Sequence, residues 1–285
     1  MGDELSAQCP LPAELSPQEA KIVEAFVAAR WHAKAIQEYP GELPADVESA
    51  YRCQEAALRQ WPDRVAGWKV ARIGESWRNR YRDERLIGPV LSRNVRRAVI
   101  GGIVDCPVFV DGFAAVEAEL VIRLSANAPA NKLDWTIDEA IPLIGELCIG
   151  VEVASSPLPT LNELGPGAVI SDFGNNWGVV VGPPVDNWRA IKQISVTTEI
   201  DGVEVGRANV DIRRGALGAL AFALERAALR GRPLQRGALI STGMITGVHD
   251  ILPGQRSRHV FEGFGEVACR AVPTLPFPQT SLREF

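Results

Sequence analysis

Imidazole is scarce in this chain: 285 residues hold three histidines, His32, His249 and His259. His32 falls in the first helical stretch, far in sequence from any carboxylate cluster, so a Ser–His–Asp or Cys–His nucleophile has little to stand on. Cysteine is nearly as thin. Cys9, Cys53, Cys106, Cys148 and Cys269 are odd in number and too far apart for a zinc pair, which argues for reduced thiols. Cys148 lies in an apolar run and reads as core. No apolar stretch reaches the ~18 residues a membrane span needs. The opening Met1–Ser6 lacks the basic and apolar regions of a signal peptide. Gly2 and Ser6 fit the short myristoylation pattern, which carries little weight beside the acidic residues between them. Positive charge is not in excess either: a net charge of −5 and a pI near 5.4 argue against bulk nucleic-acid binding. There is no Gly-rich phosphate loop, no Gly-x-Ser-x-Gly elbow and no repeat period. A cytoplasmic protein is expected, with neither membrane nor nucleic acid as partner.

What the chain does have is acid inside apolar strands. Residues 115–124 read as a buried β-strand that contains Glu117 and Glu119. Side chains on a strand alternate, so these two carboxylates share a face, where they repel and are poorly solvated. Alone, a Glu-x-Glu more often edges a solvated face and pairs with a residue such as Arg123. A third carboxylate, Glu152, inside the apolar run Leu147–Ala154, shifts the balance toward metal. Three glutamates from two strands suit a hard cation such as Mg²⁺ or Mn²⁺.

Around this pair the chain reads as β-rich α+β, without the regular βαβ alternation of a doubly wound sheet. Residues 1–15 form a loose tail. Ser16-Pro17-Gln18-Glu19 is a capping box opening a helix that continues through Ile22, Phe26 and Ile36. A second helix spans about Asp46 to Trp61, and residues 65–71 form a strand. An arginine-rich stretch follows (Arg72, Arg78, Arg80, Arg82, Arg85), mostly a solvated loop, from which one arginine could reach a substrate carboxylate. Residues 86–91 turn into the next segment. Short apolar runs then alternate with turns: 99–104, 107–110, 115–124, 148–154, 178–182, 194–200, 203–209, 237–242, 258–262 and 266–271. Asp201-Gly202 is a hairpin signal. Thr136–Glu139 is a capping box for a helix reaching about Leu147, and a second late helix runs from Ala216 to Leu229, ending at Gly231. The division expected is a tail (1–15), an N-terminal α/β region (16–98) and a β-roll domain carrying the site (99–285).

Three further places could do chemistry. Lys69 sits in an apolar strand; burial would lower its pKa and make it a proton carrier, or it snorkels to water from the strand end. Residues 170–178 crowd Asp172 and Asn176 before a strand, either as turn-formers or as anchors of a loop at the site mouth. Ser241, Thr242 and Gly243 end a strand in hydroxyls and backbone N–H groups that could meet a ligand carboxylate, or form a bulge.

Gly67-Trp68-Lys69-Val70, Glu117-Ala118-Glu119, Glu152, Asp172–Gly178 and Ser241-Thr242-Gly243 come in an order that resembles the 2-keto-4-pentenoate hydratase / 2-oxohepta-3-ene-1,7-dioate hydratase group of the fumarylacetoacetate hydrolase superfamily. The resemblance covers roughly residues 45 to 272. It implies a mixed β-roll with a smaller helical N-terminal region. It implies Mg²⁺ or Mn²⁺ on Glu117, Glu119 and Glu152, chelating a 2-oxo acid so that its enolate is stabilised. Lys69 matches the family's active-site lysine, Asp172–Asn176 its substrate-side loop, and Thr242, with Ser241 and Gly243, its residue near the substrate carboxylate. The activity implied is a metal-dependent hydratase or dehydratase of aromatic catabolism, acting as a homo-oligomer on a small 2-oxo acid or a 2-hydroxy-2,4-dienoate. Rival readings are a decarboxylase of a related 2-oxo-enoate, an acylpyruvate C–C hydrolase and a non-catalytic binding protein. The hydrolases place a His–Glu pair after the lysine strand, and residues 72–85 contain no histidine. Two positions depart from the hydratase pattern: Leu86 replaces a proton-moving aspartate, and Arg214-Gly215 replaces a His-Pro.

Overall fold

The structure is a computed structural model and describes residues 14–278. The expected tail up to residue 13, with Cys9 and the Gly2–Ser6 pattern, lies outside them. Helix α1 (Pro17–Trp31) opens with the expected capping box: Glu19 N–H donates to the Ser16 hydroxyl at 3.2 Å, and Ser16 N–H donates to the Glu19 carboxylate at 2.8 Å. It stops at Trp31 rather than running on to Ile36. Ala33 turns left-handed (φ 52°) and Lys34 N–H reaches back to Ala29 O, which closes the last turn. Helix α2 (Val47–Gln60) packs on it.

The strands follow as β1 (Val65–Arg72), β2 (Arg85–Leu91), β3 (Val95–Arg97), β4 (Val104–Val108) and β5 (Phe113–Leu124). After the one-turn α3 (Ile137–Ala140) come β6 (Ile144–Ser156), α4 (Pro166–Ser171), β7 (Asn176–Pro184), β8 (Gln193–Ile200) and β9 (Val203–Asp211). Helix α5 (Gly218–Leu229) precedes β10 (Leu239–Ser241), β11 (His249–Asp250), β12 (Arg256–Phe261) and β13 (Gly265–Pro273). One mixed sheet runs β2-β1-β10-β5-β6-β7-β3, with β11 also on β5; the second runs β4-β13-β12-β8-β9. The two pack where β4 and β13 meet β6 and β7, and α5 covers β1, β2 and β10. The result is the mixed α+β roll with a helical N-terminal region. The larger sheet takes strands from both sides of residue 98.

Three expectations about local structure are corrected. Residues 86–91 are no turn but strand β2, paired along β1 from Leu91 to Arg85. The run 99–104 is no strand: Gly101 (φ 66°) and a Gly102 N–H to Val99 O bond fold it into a turn that leaves Ile100 exposed. The helix expected to reach Leu147 ends at Ala140. Pro142 has no N–H to give the preceding turn, and pairing with β5 draws Ile144 onward into β6. The Asp201-Gly202 hairpin forms as read, both residues left-handed (φ 49° and 80°).

Candidate metal centre and active site

Strand pairing brings the glutamates together. In the antiparallel β5–β6 ladder Glu117 lies directly opposite Glu152, and Glu119 lies one step along the same face, opposite Gly150. One carboxylate oxygen from each of the three falls within 4.8 Å of the others, and all three side chains are buried. Glu119 accepts a short hydrogen bond from the Ser241 hydroxyl. Glu152 Oε1 accepts from Asn176 Nδ2 at 2.9 Å and pairs with Lys69 Nζ at 3.2 Å. The other oxygens, Glu119 Oε1 and Glu152 Oε2, are buried without a hydrogen-bond partner. Buried carboxylate oxygens are costly to leave unpaired. Once all three are ionised, three carboxylates and one ammonium leave two negative charges, which one divalent cation cancels. The all-oxygen donor set fits Mg²⁺ or Mn²⁺.

Lys69 stands on β1 between Gly88 of β2 and Ser241 of β10, only 3% exposed. Bare backbone makes room for it. Gly88 and Gly174 meet so closely that a Cβ on Gly174 would lie 2.5 Å from the Gly88 Cα and 3.4 Å from the Lys69 Cε. The loop around Gly174 is wound tightly: Phe173, Gly174 and Asn175 all have positive φ, an unfavourable state for a phenylalanine.

Arg30 holds that loop, and sequence reasoning missed it. Its guanidinium grips both oxygens of Asp172 at 2.5 and 2.8 Å and also donates to Ser155 O and Asn176 O. Asp172 is thus an anchor rather than a group facing the cavity. The signal was present: Ile22, Phe26 and Arg30 fall at i, i+4, i+8, so this arginine continues the buried stripe of α1. Gln54 was missed too; its Nε2 donates to both Ile87 O and Ile170 O inside the fold. The Thr242 hydroxyl donates to Leu120 O at 2.8 Å, so its proton is engaged there. His259 is fully buried between Thr198 and Ser257, and burial pushes its pKa down to about 3.

Charge crowding shifts the proton affinities of Glu117, Glu119 and Lys69. Burial, then the neighbouring Glu152, pushes the Glu117 carboxyl up to about 8 against the pull of Lys69. Glu119 is pushed well up by burial and by Glu152 and Glu117, with the Ser241 hydroxyl and Gly243 N–H holding it down. The net lowering expected for the Lys69 pKa is not found. Burial is the largest single influence and acts downward, but Glu152, Glu117 and Glu119 together outweigh it and raise the ammonium above its ordinary value.

The metal-free folded protein therefore keeps a proton on Glu117 that an ordinary carboxyl, near 4.5, has released. Its stability is expected to be fullest below pH 4.5 at this group and to fall as pH rises toward about 8. Added Mg²⁺ or Mn²⁺ should raise the melting temperature most at the alkaline end. Thermal melts across pH, with chelator and with metal, measure both; a metal effect independent of pH would contradict this account.

The site opens into a cavity of about 720 Å³ lined by Lys69, Glu117, Leu86, Asn175 and Thr242 among others. No protein-family model and no curated protein sequence matches the chain. Solved structures do. The 4-oxalocrotonate decarboxylase from Pseudomonas putida G7, complexed with magnesium and adipate, matches with TM-score 0.71 at 19% identity, over 90% of this chain and 97% of that one. The chain has the fold of the fumarylacetoacetate hydrolase superfamily. Fumarylpyruvate hydrolase from Pseudomonas aeruginosa, in complex with Mn²⁺ and pyruvate, matches at 0.53 and 16% identity, over 75% and 91%. The 2-hydroxyhepta-2,4-diene-1,7-dioate isomerase from Mycobacterium marinum matches at 0.52 and 18%, over 74% and 77%. At such identities the likeness fixes architecture, and the chemistry rests on the site's own residues. No helix among the described residues is long and apolar enough to cross a membrane.

Proposed function

We propose that the protein is a divalent-metal-dependent lyase of 2-oxo acids or their enols, adding or removing water. The observation that carries this reading is the trio of buried glutamates with orphaned oxygens beside a buried lysine. The metal ions in the structural neighbours support it. Glu117, Glu119 and Glu152 would hold Mg²⁺ or Mn²⁺, which supplies a Lewis acid for charge developing on the 2-oxo oxygen. Ser241 fixes the angle of Glu119 and Asn176 that of Glu152, while Arg30 fixes Asn176 through its carbonyl. Lys69 carries the proton that leaves or joins the substrate carbon, and its ammonium offsets the charge that remains.

One observation favours decarboxylation as a second reading. Water addition needs one group to take a proton from water and another to deliver one to carbon. Breaking the bond to a departing carboxylate leaves an electron pair on carbon that takes a single proton. Beside Lys69 the cavity lining carries the apolar Leu86 where the resembling hydratases have a proton-moving aspartate, and outside the metal cluster its carboxylate is Asp211, on another strand.

Calorimetric titration tests the metal site. Mg²⁺ or Mn²⁺ is expected to bind the parent, and Glu117→Gln, Glu119→Gln or Glu152→Gln to weaken binding by at least about tenfold, or roughly 1.4 kcal/mol. Oxalate, a planar mimic of the enolate of pyruvate, is expected to bind only with metal. Unchanged metal affinity in all three variants would remove the site. A screen of 2-oxo acids and 2-hydroxydienoates with product and CO₂ analysis separates the two reactions.

A further inference from the structure

The cavity's volume, about 720 Å³, lies in the range of sites that hold ligands much larger than pyruvate. The 2-oxo head would occupy only its carboxylate-lined end. The same lining carries three arginines from three elements: Arg72 at the end of β1, Arg85 at the start of β2, and Arg214 in the turn 213–217 before α5. Arg72 and Arg85 are direct cross-strand partners, an arrangement that like charges disfavour. Burial and the Arg72 charge hold the Arg85 guanidinium below its ordinary value, against the opposing pull of Glu84.

None of these three guanidinium groups has an ion pair or hydrogen bond among the described residues. Arg85 is half-buried and Arg72 and Arg214 are exposed, whereas the arginines buried in the fold are paired: Arg30 with Asp172, Arg226 with Asp83 and Arg230 with Glu55. Two carboxylates line the cavity, Glu117 and Asp211. Glu117 belongs to the metal cluster, and Asp211 accepts the Arg214 backbone N–H at 2.8 Å. Apolar lining is also available for a hydrocarbon chain, from Ile73, Trp77, Leu86 and Val210.

We infer that Arg72, Arg85 and Arg214 form a second, anion-binding subsite, and that the substrate is a 2-oxo dicarboxylic acid or its enol whose far carboxylate is held there. The inference rests on the metal-centred reading for the placement of the substrate's other end. Cross-strand guanidinium groups present forked donors that match a carboxylate's two oxygens.

Calorimetry on the Mg²⁺-loaded protein tests it with three probes: oxalate, 2-oxohexanoate and 2-oxoadipate. The two oxo acids differ in the terminal carboxylate. 2-Oxoadipate is expected to bind at least about tenfold more tightly, the worth of one charged hydrogen bond. Arg85→Gln, at the half-buried position, should erase most of that preference, and Arg72→Gln or Arg214→Gln should reduce it severalfold. Arg214 is exposed on a separate element, so its variant keeps the test alive if Arg85→Gln does not fold. Equal affinity of the parent for both oxo acids, or variants that weaken all three probes alike, would overturn the subsite. The oxalate arm separates the two ideas. If oxalate fails to bind while the preference for 2-oxoadipate persists, the metal-centred reading falls and the subsite stands. If oxalate binds only with metal and the oxo acids are equal, the subsite alone falls.

Discussion

Lys69→Met is expected to bind Mg²⁺ or Mn²⁺ at least as tightly as the parent and to lose at least about 10²-fold in rate, roughly 2.7 kcal/mol of barrier. The two halves of this expectation have different origins. An ammonium is no metal ligand, and 3.2 Å from Glu152 it repels an incoming cation, so its loss leaves metal binding intact. The rate loss follows from geometry. Lys69 is the proton-bearing side chain that stands against the glutamates inside the cavity. Other acids that could carry the proton are occupied or turned away: Asp83 pairs with Arg226, Asp172 pairs with Arg30, and Glu84 is exposed. Lys69→Arg should not restore the rate, because arginine keeps its proton and its planar head differs in shape from the ammonium, whose stem passes close to Gly174. Metal-dependent exchange of C3 protons on pyruvate analogues, followed by NMR, measures this without knowledge of the natural substrate. Exchange at the parental rate in Lys69→Met would make the lysine a charge partner of Glu152 alone. The carrier would then have to be Asp211, a remaining carboxylate of the lining.

Arg30→Met should cost about 3–5 kcal/mol of folding stability, the usual penalty for leaving one member of a buried ion pair alone. Arg30 is 7% exposed at its side chain and Asp172 not at all, so a stranded Asp172 carboxylate has no water to turn to. The backbone carbonyls of Ser155 and Asn176 lose their donor as well. Asp172→Leu alone should be similarly harmful. The double variant should recover much of the loss, because no unpaired charge remains. Denaturant unfolding of the four proteins gives the coupling directly. Additive losses, or a single-variant loss below about 1 kcal/mol, would show that α1 is held by packing and that the pair is incidental. Metal affinity offers a second readout: Arg30 steadies Asn176, Asn176 steadies Glu152, and slack in that chain should weaken metal binding several-fold.

Features of local pattern are legible in the amino-acid order. Strand period places Glu117 and Glu119 on one face, and the apolar runs around them and around Glu152 announce burial. Both are local properties of the chain. Capping boxes at Ser16 and Thr136 mark helix starts for the same reason. Helix ends are less legible. Pairing with β5 takes Ile144–Leu147 from the helix for which the Thr136 box is an apt start, and a left-handed Ala33 closes α1 short of Ile36. A strand gains its ladder from a partner distant in sequence, and no local window contains that partner.

By itself, then, the sequence determined the β-rich α+β class and pointed to the buried acids, because composition and period decide what must leave water; for Lys69 it left burial and snorkelling both open. Only the tertiary structure decided what those groups meet. Register put Glu152 opposite Glu117, and that closeness reversed the direction expected for Lys69: three carboxylates outweighed its desolvation. Arg30, 142 residues from Asp172, turned a loop carboxylate into an anchor. Cross-strand pairing brought Arg72 beside Arg85 at the cavity, out of a stretch that reads as a solvated loop. Charge interactions depend on distance and on the surrounding dielectric, and both are set by packing among segments far apart in the chain.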